Sequence, residues 1–363
     1  MRINIKTSET NRNNIRFKEL DSLRGIAAIS VVFAHLTLSL PLDQNYFRFG
    51  VAGVDLFFLI SGFVIYMSFE KINKPNEFII ARIGRLYPAY WVAVVYSFLL
   101  FFCWSSLTGM PQTFSLNTLV TNLTMVQHYF NKRDIIAPAW TLLIEMLFYI
   151  FMLLLFMLKQ LHKIENVIIV SVVPIFIYIF YLEKNALQIY YWLNNYFPLI
   201  KHLPLFYSGI LFYRIKTSKR NFIRFILIGI CFVAQIFLFY HGGSDKDFMS
   251  QRAFIIILSI FYIVFIGLIV NKLVFINNFI TQFLGKISYS LYLIHLLPSV
   301  LLISLFTRTK YFHLNFWFVI WVIVLPFILF SSYLLNKLVE VPGIKIAKKI
   351  LSRYIVAPNP DKI

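Results

Sequence analysis

The chain has 363 residues, of which 60% are hydrophobic, 18% are aromatic and only 13% are charged. With a mean hydropathy of +0.75, it has too few polar groups to cover the surface of a soluble fold, which excludes an ordinary soluble enzyme. The formal net charge of +19 does not indicate a nucleic-acid partner, because the basic residues fall in short segments between apolar runs and act as an orientation signal.

Ten apolar runs are long enough to cross a bilayer, and they predict an all-α, polytopic bundle of about ten transmembrane helices. The runs cover residues 22–41, 50–69, 79–103, 138–158, 166–182, 197–213, 222–240, 252–270, 287–306 and 313–335. An even number of spans puts both termini on one side. Because 25 of the 34 Lys and Arg residues lie on that side, we predict that both termini are cytoplasmic. The predicted transmembrane domain covers residues 1–345, and a short cytoplasmic tail covers 346–363.

The first run carries two ionisable residues, Arg24 at its start and His35 eleven positions later, with only apolar or small residues between them. At the rise of an α-helix this spacing places His35 about 16 Å beyond Arg24, roughly halfway through a hydrocarbon layer of about 30 Å. An ionisable side chain at that depth is costly and marks a functional site by default. We therefore predict that His35 belongs to a functional site.

Two further arginines, Arg82 and Arg85, lie at the cytoplasmic end of the third run and share a helix face. Together with Arg24 they predict a site for the phosphates of a nucleotide-bearing donor, because guanidinium groups present forked donors to phosphate oxygens. The alternative for any one of them is ordinary anchoring to lipid headgroups.

Two carboxylates, Asp55 in the second run and Glu145 in the fourth, are predicted to lie in the outer half of the membrane. Either could accept a hydrogen bond from an acceptor hydroxyl, orient His35, or pair with a buried arginine or backbone group. We assign Glu145 to the catalytic group and Asp55 to substrate binding.

The ninth run contains His295 at a depth close to that of His35, and Tyr289 on the same helix. We predict that both contribute to substrate binding, although His295 could equally be a core histidine that bonds across helices. Gly50, Gly53 and Gly62 follow no strand and are interpreted as close helix contacts. The two cysteines show no metal-ligand spacing, and no metal is predicted.

Six segments in this order resemble the membrane-bound acyltransferase 3 family of polysaccharide and peptidoglycan O-acyltransferases. They are DSLRGIAAISVVFAHL, GVDLFFLISGFVI, ARIGRLYPAYW, AWTLLIEMLFY, GKISYSLYLIHL and VEVPG, spread over residues 19–343. The resemblance implies about ten core helices and the transfer of an acyl group, usually acetyl from acetyl-CoA, to a hydroxyl of an extracytoplasmic glycan. It makes His35 the catalytic histidine, Arg24 its partner, Arg82 and Arg85 part of the donor site, and Glu145 the motif's acidic residue. Thr141 stands where the motif more usually has serine.

The resemblance implies a multi-pass protein of the bacterial cytoplasmic (inner) membrane, with membrane lipids and a carbohydrate acceptor as partners. O-antigen, capsule, exopolysaccharide and peptidoglycan all remain open as acceptors, as do a succinyl or longer donor and the oligomeric state. His35 could act as a general base or take the acyl group itself. The alternative functions are a proton-coupled transporter or flippase of a cell-envelope glycan, and a non-catalytic assembly subunit.

Overall fold

The structure, a computed structural model, describes residues 17–38, 40–41, 45–218, 221–240, 248–308 and 313–356. The predicted tails therefore fall partly outside it, at residues 1–16 and 357–363. Every regular element in the described ranges is helical, which confirms the predicted all-α class.

The helices follow the predicted apolar runs closely. They are α1 (Lys18–Leu36), α2 (Gly53–Phe69), α3 (Pro75–Thr108), α4 (Leu116–Asn122), α5 (Trp140–Met157), α6 (Ile164–Ile177), α7 (Glu183–Asn185), α8 (Leu187–Tyr196), α9 (Leu203–Thr217), α10 (Phe222–Tyr240), α11 (Gln251–Ile269), α12 (Phe279–Ile294), α13 (Leu296–Arg308), α14 (Phe316–Phe318), α15 (Leu325–Leu335) and α16 (Val341–Val356). Turns of 3-10 helix precede α2, α5, α6 and α9, and π-helical turns join α6 to α7 and α14 to α15 to α16.

Seven helical stretches in the described ranges are long and apolar enough to cross a membrane, or eight if the bent pair α12 and α13 is one span. The predicted count of ten is thus not confirmed. The first predicted span, α1, carries four charged residues over its first two turns, and the sixth, α9, has only 15 residues. Both helices nevertheless pack inside the bundle, α1 between α2 and α12, and α9 against α2, α10 and α11.

The last helical stretch is longer than predicted, since it runs from Phe316 to Arg353. The predicted start of the tail at residue 346 therefore falls inside α16, which packs against α3. A Cβ atom added at Gly84 would come within 2.3 Å of the Ala347 Cβ, and one at Gly343 within 2.8 Å of the Pro88 ring. The two glycines let α3 and α16 approach closely, so α16 forms part of the bundle.

The helices around the predicted site residues pack in pairs through close backbone contacts at glycines. A Cβ atom added at Gly285 of α12 would lie 2.1 Å from the Asp21 carbonyl oxygen of α1, and one added at Gly62 of α2 would lie 2.0 Å from the Phe206 carbonyl of α9. Gly50 and Gly53 approach the backbone of α1 in the same way. The prediction that Gly50, Gly53 and Gly62 are close helix contacts is confirmed.

Candidate active site

A cavity of about 80 Å³ lies between α1, α2, α3, α5 and α12. Its wall carries most of the predicted polar site residues and one tyrosine that was not predicted: Arg24, Arg82, Arg85, Glu145, Tyr149 and Tyr289. Arg82 and Arg85 line it together, as their spacing on one helix face predicts. We call this space the arginine cavity. Three guanidinium groups against one carboxylate leave it with an excess of positive charge.

The carboxylate of this cavity accepts its hydrogen bonds from neutral donors. Glu145 accepts hydrogen bonds at Oε1 from Ser61 Oγ (3.0 Å) and Tyr149 OH (2.6 Å). In the described part of the chain the salt bridges join Glu165 to Arg214 and Arg224, and they include none of the cavity's three arginines. Charges removed from water normally pair with an opposite charge. Among the described residues the three arginines of the cavity depart from this rule.

Arg82 shows this incomplete pairing most directly. Its Nη2 donates to Ser68 Oγ at 2.7 Å, and its guanidinium lies over the rings of Phe78 (5.1 Å) and Tyr149 (5.4 Å). Its buried Nε has no hydrogen-bond partner among the residues that the structure describes. Aromatic faces hold a guanidinium in place without neutralising its charge, so Arg82 keeps a fixed orientation and a spare donor.

His35 lies further along α1, on the same face as Arg24, and its partner is the other predicted histidine. The Nδ1 atom of His35 lies 2.9 Å from Nε2 of His295. On the far side, Nδ1 of His295 lies 3.1 Å from the Leu291 carbonyl oxygen and 2.9 Å from that of Tyr292. His295 is 1% exposed and sits at the break between α12 and α13.

These contacts fix the tautomer of both rings when they are neutral. A carbonyl oxygen only accepts, so Nδ1 of His295 carries the hydrogen and its Nε2 is left as an acceptor. Nδ1 of His35 must then donate to it. The lone pair of His35 is consequently on Nε2, the atom with no partner in the described structure.

A second cavity, of about 250 Å³, opens beside His35. We call it the histidine cavity. It is lined by His35, Val51, Val54, Ala137, Pro138, Trp140, Phe248, Tyr292 and Leu296. These residues come from the end of the bundle that holds the segments before α2 and α5 and the segment after α10. The ring of His35 is therefore neither sealed in the core nor turned toward lipid.

Among the described residues, two side chains line both cavities, those of Val54 and Tyr292. The hydroxyl of Tyr292 is 2.8 Å from Thr141 Oγ1 and donates to the Pro138 carbonyl oxygen at 3.2 Å. Its ring packs 6.0 Å from the ring of Phe57 and 5.9 Å from that of His295. The Tyr292 side chain therefore separates the arginine cavity from the histidine cavity, and its hydrogen bonds hold it in that position.

The structure places Glu145 beside the arginines. Glu145 follows Trp140 by five residues on α5, about 7.5 Å further along the helix, and it lines the arginine cavity while Trp140 lines the histidine cavity. His295 lines neither cavity and contacts the imidazole of His35, in agreement with the alternative prediction of a core histidine that bonds across helices.

The other two predicted substrate-binding residues, Asp55 and Tyr289, lie in different places. Asp55 is 5% exposed and lines neither cavity. Tyr289 lines the arginine cavity, where its hydroxyl donates to the Leu86 carbonyl oxygen at 2.9 Å. Sequence reasoning did not single out Tyr149, although it follows Glu145 by one helical turn, and no local pattern marks Phe248. Among the described residues no three His, Cys, Asp or Glu side chains are grouped to hold a metal ion.

The chain resembles known proteins over most of its length. The profile of the acyltransferase 3 family, described as an acyltransferase domain, matches residues 17–337. A protein of Acidianus two-tailed virus named "Putative acetyltransferase ORF330" is 26% identical over 291 residues, which are 77% of this chain and 82% of that protein. No solved structure matches.

Two bacterial relatives extend the comparison. A Staphylococcus aureus (strain COL) protein named "Putative O-acetyltransferase SACOL0978" is 24% identical over 326 residues, covering 76% of this chain but only 49% of that protein. The "Exopolysaccharide production protein ExoZ" of Rhizobium meliloti is 32% identical over 121 residues, 29% of this chain and 34% of that protein. The family profile covers most of the chain, including every described residue that lines either cavity, and the apolar helices mark a multi-pass membrane protein. The chain therefore belongs to the acyltransferase 3 family of membrane acyltransferases.

Proposed function

We propose that the protein is an O-acetyltransferase that takes an acyl group from cytoplasmic acyl-CoA, most simply acetyl-CoA, and delivers it to a hydroxyl of a glycan on the opposite side of the membrane. The observation that carries this proposal is the arrangement of two cavities. One presents three arginines without carboxylate partners, the other presents the free Nε2 of His35, and Tyr292 and Val54 line both.

The donor would bind through its phosphates to Arg24, Arg82 and Arg85, since forked guanidinium donors match phosphate oxygens. The arginine cavity, at about 80 Å³, is far smaller than the roughly 300–1,000 Å³ of cavities that enclose a drug-sized ligand. Donor binding therefore requires a wall to move. Displacing Tyr292 would break its bond to Thr141 and join the arginine cavity to the 250 Å³ beside His35.

The Nε2 lone pair of His35 serves either of two routes. As a general base it takes the proton of the acceptor hydroxyl while the oxygen attacks the thioester carbonyl, the C–S bond breaks, and the CoA thiolate recovers the proton. As a nucleophile it attacks the thioester carbonyl and the C–S bond breaks, which leaves an acyl-imidazolium and the CoA thiolate. The acceptor oxygen then takes the acyl group, the bond between the acyl carbon and Nε2 breaks, and the proton of the hydroxyl goes to the thiolate. In both routes His295 holds the ring and fixes which nitrogen reacts.

The names of two relatives favour a carbohydrate acceptor, and their bacterial sources favour the cytoplasmic membrane of a bacterium. Family membership favours acyl transfer over the alternative of a transporter or flippase. O-antigen, capsule, exopolysaccharide and peptidoglycan are all compatible with a hydroxyl acceptor.

The test of the donor site is the binding of radiolabelled acetyl-CoA to the purified protein. Replacing Arg24, Arg82 or Arg85 by Gln is expected to weaken binding about 10- to 150-fold, the equivalent of one charged hydrogen bond of about 1.5–3 kcal/mol. Arg353→Gln, on the exposed end of α16, is the matched control and should bind normally. Unchanged binding in all three cavity variants would refute the donor site.

The test of the catalytic residue uses the same protein. His35→Ala is expected to bind acetyl-CoA as the wild type does but to release no CoA in membranes that contain the natural acceptor. Continued acyl transfer by this variant would exclude His35 as base or nucleophile.

A further inference from the structure

A groove of about 420 Å³ runs between α3 and α5, beside the arginine cavity. Its described wall residues are Phe78, Ile79, Arg82, Ile83, Tyr87 and Trp91 of α3, and Met146, Tyr149, Ile150 and Leu153 of α5. Four of these side chains are exposed on the surface of the bundle, namely Ile79, Ile83, Trp91 and Ile150. Both helices belong to stretches that are long and apolar enough to cross a membrane. An exposed apolar groove between two such helices faces the acyl chains of the bilayer.

The polar atoms of the aromatic residues in this groove are engaged elsewhere. The hydroxyl of Tyr87 donates to the Thr124 carbonyl oxygen at 3.2 Å, and Nε1 of Trp91 donates to that of Leu123 at 2.9 Å. The hydroxyl of Tyr149 donates to the carboxylate of the arginine cavity at 2.6 Å. The surface left for a ligand is therefore formed by aromatic rings and aliphatic side chains, which suits a hydrocarbon chain.

Arg82 carries the one charge among the described residues of the groove. Its guanidinium lies over the rings of Phe78 and Tyr149, and its Nη2 donates to Ser68 Oγ. Ser68 is the next-to-last residue of α2, so the guanidinium is held near the level at which α2 ends. The Lys and Arg bias predicts that this end of the bundle is cytoplasmic. Phospholipid phosphates lie just outside the hydrocarbon layer, and guanidinium groups bind phosphate through forked hydrogen bonds.

The length of the groove matches a lipid chain that begins at this level. Trp91 follows Arg82 by nine residues, about 14 Å further along α3. One leaflet contributes about 15 Å to a hydrocarbon layer of about 30 Å. We propose that the groove between α3 and α5 binds a phospholipid of the cytoplasmic leaflet, with its phosphate at the guanidinium of Arg82 and one acyl chain along the groove toward Trp91.

This lipid site shares a wall with the arginine cavity, because Arg82 and Tyr149 line both. A phosphate that binds Arg82 from the lipid side neutralises one of the three guanidinium groups that the donor would use. The lipid and acetyl-CoA should therefore compete for Arg82, a consequence that rests on the proposed function. Binding of the lipid itself does not depend on acyl transfer.

The test is photolabelling of the purified, delipidated protein in detergent with an equimolar amount of phosphatidylglycerol that carries a diazirine in one acyl chain. Peptide mass spectrometry locates the adducts, which are expected on residues 78–91 and 146–153. Unlabelled phosphatidylglycerol should compete. The diacylglycerol with the same chains should compete at least about tenfold less well, because it lacks the phosphate that accepts charged hydrogen bonds. Inorganic phosphate at the same concentration should not compete, since it has no chain to bury in the groove.

Two variants test the two parts of the site. Arg82→Gln is expected to raise the half-labelling concentration of the lipid about tenfold or more, and Ile83→Trp should lower the labelling several-fold because the larger side chain fills the groove. Lys272→Gln, at an exposed cation after α11, and Ile256→Trp, on the exposed face of α11, are the matched controls and should label as the wild type does. If Arg82→Gln does not fold, Ile83→Trp and the competition by diacylglycerol decide.

Two results would overturn the proposal: adducts spread evenly over the exposed helices, or equal competition by phosphatidylglycerol and diacylglycerol. Labelling in the presence of saturating acetyl-CoA is a separate measurement, and acetyl-CoA is expected to lower it. If acetyl-CoA leaves the labelling of the groove unchanged, the lipid site stands and the use of Arg82 by the donor fails. If acetyl-CoA binding requires Arg82 but the groove is not labelled, the reverse holds.

Discussion

A histidine in a membrane core is useful only if one of its nitrogens is free and held in place. His35 meets both conditions, because Nδ1 is engaged by His295 and the backbone carbonyls behind His295 hold the second ring. In the proposed reaction this pair of imidazoles would take the part of the carboxylate in a Ser-His-Asp triad, namely fixing the tautomer and orientation of the reacting ring, without placing a charge in the apolar interior.

We therefore predict that His295 is a positioning residue. His295→Ala should lower kcat by at least about tenfold, as is common when an orienting partner is removed, and leave the KM for acetyl-CoA unchanged. His295→Gln should recover part of the rate, because its amide oxygen can accept from Nδ1 of His35. A merely structural role would instead lower the amount of folded protein and leave kcat per folded molecule the same in both variants.

The hydrogen bond between Tyr292 and Thr141 leads to a second prediction at the scale of single residues. Tyr292→Ala should join the two cavities permanently, so that water reaches the thioester. We expect acetyl-CoA hydrolysis in the absence of acceptor to rise several-fold while transfer to the acceptor falls. Tyr292→Phe keeps the ring and should show a smaller rise. If hydrolysis stays at the wild-type level in Tyr292→Ala, Tyr292 does not separate donor from water.

At the scale of the helices, the register of α1 against α12 brings Arg24 and His35 opposite Tyr289 and His295. Gly285 allows this register, because it contacts the Asp21 carbonyl where any side chain would clash. Gly285→Ala should therefore destabilise the protein by about 1–3 kcal/mol and lower activity by shifting the paired histidines. Gly229→Ala, in α10 with nothing within 4 Å of an added Cβ, should be neutral or slightly stabilising. Thermal unfolding in detergent measures both, and equal melting temperatures would contradict the packing argument.

What the sequence predicts well is what depends on helix geometry within one segment. Apolar runs predict the helices, and the helical period predicts that Arg82 and Arg85 share a cavity and that Arg24 and His35 share a face. Contacts between helices distant in sequence are not encoded in any local pattern. The His35–His295 pair spans 260 positions, and the place of Glu145 beside the arginines depends on the register of α5. The prediction for Glu145 depended on its depth in the membrane, but depth alone does not specify which of the two cavities a side chain lines.

At the scale of the whole molecule, the arginine cavity lies on the Arg24 side of α1 and the histidine cavity on the His35 side. The orientation of the bundle in the membrane therefore decides from which side each substrate arrives. We predict that residues near the histidine cavity face the extracytoplasmic side. In a variant with Cys103 and Cys231 replaced by serine, a cysteine at Tyr46 should react with a membrane-impermeant maleimide in intact cells. A cysteine at Phe275, exposed at the opposite end, should react only after permeabilisation. The reverse pattern would invert the predicted topology.

The central claim is that donor and acceptor meet at His35 from opposite sides of the membrane. It is tested most directly with the purified protein in sealed vesicles, with acetyl-CoA enclosed and methyl β-D-glucopyranoside supplied only outside. Acetylated glycoside is expected to accumulate outside vesicles that contain the wild-type protein and not outside vesicles that contain His35→Ala. Product that forms only when both substrates are on the same side would contradict it.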